Sequence, residues 1–170
     1  MSLMFLIGGA RSGKSSLAVR LAAESGAPVV FIATGEPGDA EMAERIARHR
    51  AERPTGWQTI EEPLALRGAL EAAPRKSCVV VDCLSLWVAN LLEHGAGGVE
   101  EEARATAAVA AARAALTIAV TNEVGLGVVP ATPLGRAYRD VIGRVNAIWA
   151  DAADEAHFVV AGKALRLGDV

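Results

Sequence analysis

Residues 3–15, LMFLIGGARSGKS, combine a short apolar run with the pattern G-x-x-x-x-G-K-S. The apolar run predicts a buried strand, and Gly8 and Gly13 let the next residues curl so that their N–H groups face a polyphosphate. A helix that begins at the end of the pattern adds the partial positive charge of its N-terminus. Lys14 is then placed to reach the outer phosphates, and the Ser15 hydroxyl to ligate Mg²⁺. The stretch therefore predicts a nucleoside triphosphate site and leaves the reaction open.

Lysine is rare in this chain, which strengthens that interpretation. Lys14, Lys76 and Lys163 are the three lysines, against fourteen arginines. A lysine inside the glycine-rich pattern is therefore not a by-product of a lysine-rich composition. Its compact charge on a flexible stem suits a phosphate contact in a narrow loop better than the rigid guanidinium group of arginine does.

Length and composition restrict the class of protein. A chain of 170 residues can bury a sizeable core, and we expect residues 1–170 to form one domain. The net charge of −3 argues against a nucleic-acid-binding protein, which usually carries a basic face. No stretch has the length and apolar character of a membrane span. Cys78 and Cys83 do not resemble a disulfide framework, so we expect a reduced, cytoplasmic protein.

Strand and helix patterns alternate along the chain. After the loop, apolar or alternating runs predict strands at residues 28–33, 57–60, 77–82, 117–120 and 157–161, with a short hairpin partner at 165–167. Helical patterns cover residues 16–24, 40–52, 64–72, 84–92, 99–116 and 133–153. This order predicts an α/β fold with a mainly parallel sheet and helices on both faces. Ligands of such sheets bind at the carboxyl ends of the strands.

Two residues beyond the loop are candidates for chemistry. Asp82 follows three valines at the end of a predicted strand, where a carboxylate can hold the Mg²⁺ that bridges phosphate oxygens. His49 lies on a predicted helix. Arg45, Arg48, Arg50 and Arg53 are nearby in sequence, and this cluster would attract and orient phosphates. Positive neighbours also lower the pKa of an imidazole, and a neutral ring can attack an α-phosphate. The alternative is that His49 packs in a core or an interface. For His94 and His157 we expect solvent-exposed or structural roles.

Several ordered stretches together resemble the bifunctional adenosylcobinamide kinase/adenosylcobinamide-phosphate guanylyltransferase family. The resemblance covers nearly the whole chain except residues 93–116. The stretches that carry it are GGARSGKS at residues 8–15, IAT at 32–34, EM at 41–42 with RI at 45–46 and His49, RP at 53–54 with Trp57, TNEVG at 121–125, GVVP at 127–130, YRD at 138–140 and GRVN at 143–146.

The resemblance implies a P-loop NTPase fold of the RecA-like kind, a homotrimer and two reactions. A nucleoside triphosphate, ATP or GTP, phosphorylates the hydroxyl of adenosylcobinamide; GTP then guanylylates a histidine, which corresponds to His49, and GMP passes to adenosylcobinamide phosphate. Mg²⁺ would be held by Ser15 and Asp82. The implied nucleotide contacts are Gly8, Gly9, Ala10, Arg11, Ser12, Gly13, Lys14, Ser15, Ala33, Thr34, Gly35, Arg50, Ala51, Glu52, Arg53, Glu61 and Asp82.

Other functions of a phosphate loop stay open at this point. A small regulatory GTPase would need an Asn-Lys-x-Asp element, and neither Lys76 nor Lys163 lies in one. A RecA-like ATPase acting on DNA would need basic strand-binding loops, which the chain does not show. A monofunctional small-molecule kinase would use Lys14 and the arginines, with His49 in a structural role. Only the last two alternatives compete with the bifunctional enzyme.

Overall fold

The computed structural model describes residues 2–36, 38, 40–51 and 53–168, with the backbone alone at positions 41, 42, 45 and 49. The strands are β1 (Leu3–Gly8), β2 (Val29–Ala33), β3 (Gln58–Glu61), β4 (Cys78–Asp82), β5 (Thr117–Asn122), β6 (Glu155–Val160) and β7 (Lys163–Arg166). The helices are α1 (Lys14–Glu24), α2 (Ala40–Ala51), α3 (Leu66–Ala72), α4 (Leu84–Glu93), α5 (Val99–Ala111) and α6 (Pro133–Ala152).

These strands form one sheet in the order β3-β2-β4-β5-β1-β6-β7. Every neighbouring pair is parallel except β6 and β7, which form an antiparallel hairpin at one edge. The expected α/β fold with a mainly parallel sheet is therefore confirmed. Because the strands are parallel, the carboxyl ends of β1, β2, β4 and β5 meet at one edge of the sheet, where the phosphate loop also lies.

Alternate residues of the central strands point to opposite faces of the sheet and build two apolar clusters. One cluster joins Leu3, Phe5 and Ile7 of β1 to side chains from α3, α4, α5 and α6, including the fully buried Trp87 and Trp149. The other joins Met4 and Leu6 to α1 through Ala18 and Ala22, among others. The period of two in the strands thus explains how both faces are covered by helices.

Some predicted boundaries were wrong. Helix α5 ends at Ala111 and not at residue 116, because the Arg113 side chain donates hydrogen bonds to carbonyl oxygens of Leu70, Ala73 and Ser77. The alanine-rich composition favours a longer helix, but these tertiary contacts and the start of β5 end it. Strand β5 runs on to Asn122, and the partner of β6 begins at Lys163.

Other boundaries shift by one or two residues. Helix α1 begins at Lys14, the second-last residue of the glycine-rich pattern, and His157 is the third residue of β6 and not its first. Among the described residues, no helix combines the length and the apolar character that crossing a membrane requires.

Candidate active site

The phosphate loop connects β1 to α1 in the conformation that its glycines allow. Gly13 caps α1 with a φ of +100°, a backbone conformation that side-chain-bearing residues rarely adopt. Lys14, the first residue of the helix, is buried, and its Nζ donates a hydrogen bond to the carbonyl oxygen of Gly9 at 2.7 Å. The loop therefore holds its ammonium group close to its own backbone, beside the N-terminus of a helix. Both features favour binding of an anion.

A cavity of about 500 Å³ lies beside this loop. Its wall joins the loop to the carboxyl ends of β2, β3 and β4, as the parallel sheet predicts. Eleven residues that the sequence assigned to nucleotide or metal binding line it: Ala10, Arg11, Ser12, Gly13, Lys14, Ser15, Ala33, Gly35, Arg53, Glu61 and Asp82. The fold therefore brings together the loop, the acidic residue at the end of β4 and two members of the arginine cluster, Arg48 and Arg53.

Other residues assigned to the nucleotide do not line this cavity. Gly8 is the last residue of β1, Gly9 begins the loop, and Ala51 ends α2. Thr34 is fully buried; its Oγ1 donates to the carbonyl oxygen of Cys83 at 2.7 Å and accepts from the Cys83 N–H at 2.9 Å. This side chain therefore ties the ends of β2 and β4 together.

Arg50 and Glu61 form an ion pair between α2 and the end of β3, and more than half of each side chain is exposed. Of these two residues Glu61 lines the cavity. The pair therefore connects the nucleotide cavity to the helix that carries position 49.

The predicted nucleophile, His49, is a position of α2 whose side chain lies outside the described residues, and Glu52 also lies outside them. Helix α2 itself contributes Glu44, Ile46 and Arg48 to the cavity wall. Position 49 follows Ile46 by three residues, which is about one helical turn. The backbone therefore brings the segment that bears the histidine to the edge of the phosphate site.

The two remaining histidines have structural contacts, as expected. Nδ1 of His94 lies 2.9 Å from the carbonyl oxygen of Asn90 at the end of α4. Nε2 of His157 lies 3.0 Å from a carboxylate oxygen of Glu155, and that interaction lowers the pKa of Glu155. Neither histidine lines the cavity.

Arg53 is a cation of the cavity wall that lies outside the phosphate loop. Its guanidinium carbon lies 4.0 Å from the ring centroid of Phe31, in cation–π geometry. Burial is the main reason that the pKa of Arg53 is lowered, with Arg50 lowering it further, while the Asp82 carboxylate opposes the shift. The guanidinium group is held in place by an aromatic face and faces the same cavity as Asp82. It can therefore bind a phosphate with little loss of side-chain freedom.

A second potential nucleophile, Cys83, also lines the cavity. Burial, together with the neighbouring Asp82 carboxylate, raises the pKa of this thiol to about 11. A thiol reacts as its thiolate, so Cys83 is almost entirely unreactive at neutral pH. The structure thus argues against covalent catalysis through this cysteine.

Sequence reasoning missed part of the cavity wall. The additional lining residues are Ser16, Glu44, Ile46, Arg48, Cys83, Leu86, Val120 and Asn122. Arg48 carried a signal, because the arginine cluster around His49 was expected to attract phosphates, and Asn122 belongs to the TNEVG stretch that carries the family resemblance. Cys83 and Leu86 carried none, because the turn from β4 into α4 that brings them to the cavity is a property of the tertiary structure.

A parallel α/β sheet whose first strand leads through G-x-x-x-x-G-K-S into a helix, with a carboxylate at the end of a nearby strand, defines a P-loop nucleotide-binding protein. The sequence model of one family, described as cobinamide kinase / cobinamide phosphate guanyltransferase, matches residues 4–167. The chain belongs to this family, which confirms the resemblance of its motifs.

Relatives agree with that assignment. The chain is 47% identical over 159 residues to the bifunctional adenosylcobalamin biosynthesis protein CobP of Pseudomonas aeruginosa, a match that covers 92% of each chain. It is 36% identical over 180 residues to the bifunctional adenosylcobalamin biosynthesis protein CobU of Escherichia coli, covering 97% of this chain and 99% of the relative. The protein of that name from Salmonella typhimurium is 35% identical over 182 residues, with the same coverage.

Proposed function

We propose that this chain phosphorylates adenosylcobinamide with ATP or GTP and then transfers GMP from GTP to adenosylcobinamide phosphate, with His49 as the covalent carrier. The observation that carries the proposal is the position of α2. This helix, which includes position 49, supplies Glu44, Ile46 and Arg48 to the wall of the cavity that the phosphate loop lines. One nucleotide site can therefore serve a kinase reaction at the γ-phosphate and a nucleotidyl transfer at the α-phosphate.

The kinase reaction needs binding and charge stabilisation more than covalent help from the protein. The oxygen of the cobinamide hydroxyl forms a bond to the γ-phosphorus while the bond from that phosphorus to the β–γ bridging oxygen breaks. The nucleoside diphosphate leaves with that electron pair, and the hydroxyl proton passes to water. Lys14, Arg53 and the N–H groups of the loop would bind the phosphate oxygens and orient them for this transfer.

The guanylyl transfer divides into two displacements. A ring nitrogen of His49 attacks the α-phosphorus of GTP while the bond from that phosphorus to the α–β bridging oxygen breaks. Pyrophosphate leaves with that electron pair, and the second ring nitrogen releases a proton to water. A phosphate oxygen of cobinamide phosphate then attacks the same phosphorus, and the imidazole regains its lone pair and a proton. Because GMP stays covalently bound to the enzyme between the two displacements, the two polyanionic substrates, GTP and cobinamide phosphate, need not occupy the site together.

Mg²⁺ fits the donor set of the cavity. The Ser15 hydroxyl and the Asp82 carboxylate both line it, and oxygen donors of these types are the ligands that Mg²⁺ prefers. When bound, the ion would neutralise charge on the β- and γ-phosphates. We propose these two residues as its protein ligands.

The remaining expectations concern the domain organisation, the oligomeric state and the cellular location of the protein. We propose that residues 1–170 work as one domain within a homotrimer, the assembly that the family resemblance implies. The exposed side chains of Leu126 (82%) and Val128 (95%) offer apolar surface for contact between copies. Free, buried Cys78 and Cys83 support a reducing, cytoplasmic location.

Labelling with GTP that carries ³²P in its α-phosphate tests the covalent step. Wild-type protein with Mg²⁺ is expected to retain label that survives alkali and is lost in acid, as a phosphoramidate does. His49→Asn is expected to lose the label and GMP transfer and to keep the kinase activity, whereas Lys14→Ala impairs phosphoryl transfer. His94→Asn and His157→Asn are the matched controls and should label normally.

The possible failures have separate meanings. Wild-type protein that phosphorylates adenosylcobinamide but takes up no label would be a monofunctional kinase. Normal labelling of His49→Asn would place the nucleophile elsewhere. Protein that binds GTP but neither labels nor phosphorylates adenosylcobinamide would overturn the whole proposal.

A further inference from the structure

Asn122, the last residue of β5, lies between the two halves of the phosphate site. In the parallel pairing of β1 and β5 it is registered with Gly8, the residue that begins the glycine-rich pattern. On the other side, β4 pairs with β5 so that Asp82 is registered with Val120, two residues before Asn122. Asn122 lines the same cavity as the loop and Asp82. It therefore occupies the sheet edge between the loop and the acidic residue.

Two contacts fix this asparagine. Its side-chain Nδ2 donates to Oγ of Ser85 at 3.0 Å, and its backbone carbonyl oxygen accepts from Nδ2 of Asn146 at 3.2 Å. Ser85 and Asn146 are themselves buried, with 2% and 6% of their surface exposed. Helices α4 and α6 thus hold Asn122 from two directions.

The partners of Asn122 are fixed in turn. Oδ1 of Asn146 accepts from Thr121 Oγ1 at 2.8 Å, and the Ser85 carbonyl oxygen accepts from the Tyr138 hydroxyl at 3.0 Å. Burial raises the pKa of Tyr138 to about 12, so its hydroxyl stays protonated and can donate. A side chain restrained in this way can meet a ligand without a large loss of rotamer entropy.

The amide of Asn122 has hydrogen-bonding capacity beyond these contacts. A primary amide carries two N–H hydrogens and one acceptor oxygen. In the described part of the chain, its side chain makes one hydrogen bond, the one to Ser85, which uses one hydrogen. The second hydrogen is available to a group in the cavity.

We propose that Asn122 is a catalytic residue of the kinase reaction, whose amide N–H donates to an oxygen of the terminal phosphate while Ser85 and Asn146 hold it in place. This inference rests on the proposed kinase function. The donor would stabilise charge on the oxygens of the γ-phosphate as its bond to the β–γ bridging oxygen breaks and the bond to the substrate hydroxyl forms. An uncharged donor at this point adds no further positive charge to a cavity that Arg53 and Lys14 also line.

Measurements of nucleotide affinity distinguish a contact of Asn122 with the terminal phosphate from a purely structural role of this residue. For Asn122→Ala, the affinity for a non-hydrolysable ATP analogue with an imido group between its β- and γ-phosphates is expected to fall roughly 10- to 100-fold, the range of a hydrogen bond to a charged group. The affinity for ADP, which lacks the terminal phosphate, should change less than about 2-fold. Calorimetric titration of wild type and variant with both ligands measures this difference. Equal losses for both ligands, or no loss for either, would overturn the proposal.

Asn122→Asp sharpens the comparison. A carboxylate keeps the shape and can accept a hydrogen bond from Ser85, so a purely structural asparagine would tolerate Asp better than Ala. A residue that donates to phosphate should tolerate it worse, because the new negative charge repels the phosphate. We therefore expect kcat for adenosylcobinamide phosphorylation to fall further in Asn122→Asp than in Asn122→Ala, with KM for adenosylcobinamide nearly unchanged. A larger fall of kcat in Asn122→Ala than in Asn122→Asp would overturn the proposed hydrogen bond from Asn122 to the phosphate.

Ser85→Ala provides a test that leaves Asn122 itself intact. Loss of the anchor should lower affinity for the imido analogue by a smaller factor, about 3- to 10-fold, and again spare ADP. Unchanged affinity for the imido analogue in Ser85→Ala would contradict the claimed anchoring. If wild-type protein fails to phosphorylate adenosylcobinamide, the proposed kinase function fails, whereas the binding comparison still decides the role of Asn122.

Discussion

The backbone N–H of Gly162 donates a hydrogen bond to the carbonyl oxygen of Ser12, with 2.9 Å between nitrogen and oxygen. Gly162 and its neighbour Ala161 form the turn between β6 and β7 with φ values of +72° and +50°, a pair typical of two-residue hairpin turns. The edge hairpin of the sheet is thereby joined to the phosphate loop. The shape of the nucleotide site thus depends on a part of the chain about 150 residues away.

The close approach of β6 to the loop makes a prediction for Gly8. A Cβ atom at this position would lie 2.1 Å from the carbonyl oxygen of Val159, a backbone atom that cannot move without shifting β6. We expect Gly8→Ala to lower the free energy of unfolding by about 1–3 kcal/mol or more. Gly9→Ala is the matched control, because a Cβ there meets nothing within 4 Å. Urea unfolding of both variants measures the difference, and equal stability of the two would contradict the packing argument.

These contacts also show which features of the site the sequence could predict and which it could not. The pattern around Lys14 predicted the loop, because its chemistry is local in the chain, and the run of valines before Asp82 predicted a buried strand that ends at the ligand edge. The contact of Gly8 with Val159 could not be predicted, since it joins residues distant in sequence. The same holds for Asn122, whose role depends on which strands lie beside β5, and periodicity does not specify that order.

Arg53 and Phe31 show a second limit of sequence reasoning. The arginine was assigned to nucleotide binding, but its stacking on a core phenylalanine of β2 depends on the packing of β2 against the segment after α2. Because a lysine keeps the charge and loses the planar stacking, we expect Arg53→Lys to weaken GTP binding about 3- to 30-fold, the equivalent of roughly 0.5–2 kcal/mol. Arg104→Lys, on α5 and outside the cavity, should bind GTP like wild type.

Equilibrium titration with GTP measures both substitutions. An Arg53→Lys variant with unchanged GTP affinity would show that the stacked geometry contributes nothing to binding. An equal loss in Arg104→Lys would indicate a general effect of the substitution.

The hydrogen bonds to the Asp154 carboxylate predict that the stability of the fold depends on pH. Hydrogen bonds from the backbone N–H groups of Leu3 and Ser2 to its carboxylate lower the pKa of Asp154 from 3.8 to about 2. Because the pKa is lower in the folded protein, the carboxylate stabilises the fold above pH 4, and this contribution is lost as the pH falls from about 4 to about 2. The stability difference between wild type and Asp154→Asn should therefore be largest near neutral pH and shrink over that range.

Urea unfolding at several pH values measures the effect. Asp151→Asn, which replaces an exposed carboxylate on α6, is measured beside it as the control for loss of a surface carboxylate. A constant difference between wild type and Asp154→Asn from pH 7 to pH 2 would mean that these hydrogen bonds do not favour the ionised carboxylate.

Arg113 connects three elements away from the cavity. Its Nη1 donates to the carbonyl oxygens of Leu70 (2.8 Å) and Ala73 (3.2 Å), and its Nη2 donates to those of Pro74 (2.9 Å) and Ser77 (3.1 Å). The carbonyl groups near the C-terminus of α3 carry partial negative charge that a cation stabilises. The planar guanidinium group can reach four carbonyl oxygens at once, which an ammonium group on a flexible stem cannot do with the same geometry.

We therefore expect Arg113→Ala to lower the free energy of unfolding by about 2–4 kcal/mol, because carbonyl oxygens at the end of α3 and the start of β4 lose a charged donor. Arg113→Lys should recover only part of that loss. GTP affinity should stay at the wild-type value in both variants, since none of these residues lines the nucleotide cavity. Urea unfolding and GTP titration with Arg104→Ala as the control separate the two effects. A full recovery by lysine would mean that charge alone, and not the forked geometry, ends α5 and joins it to α3.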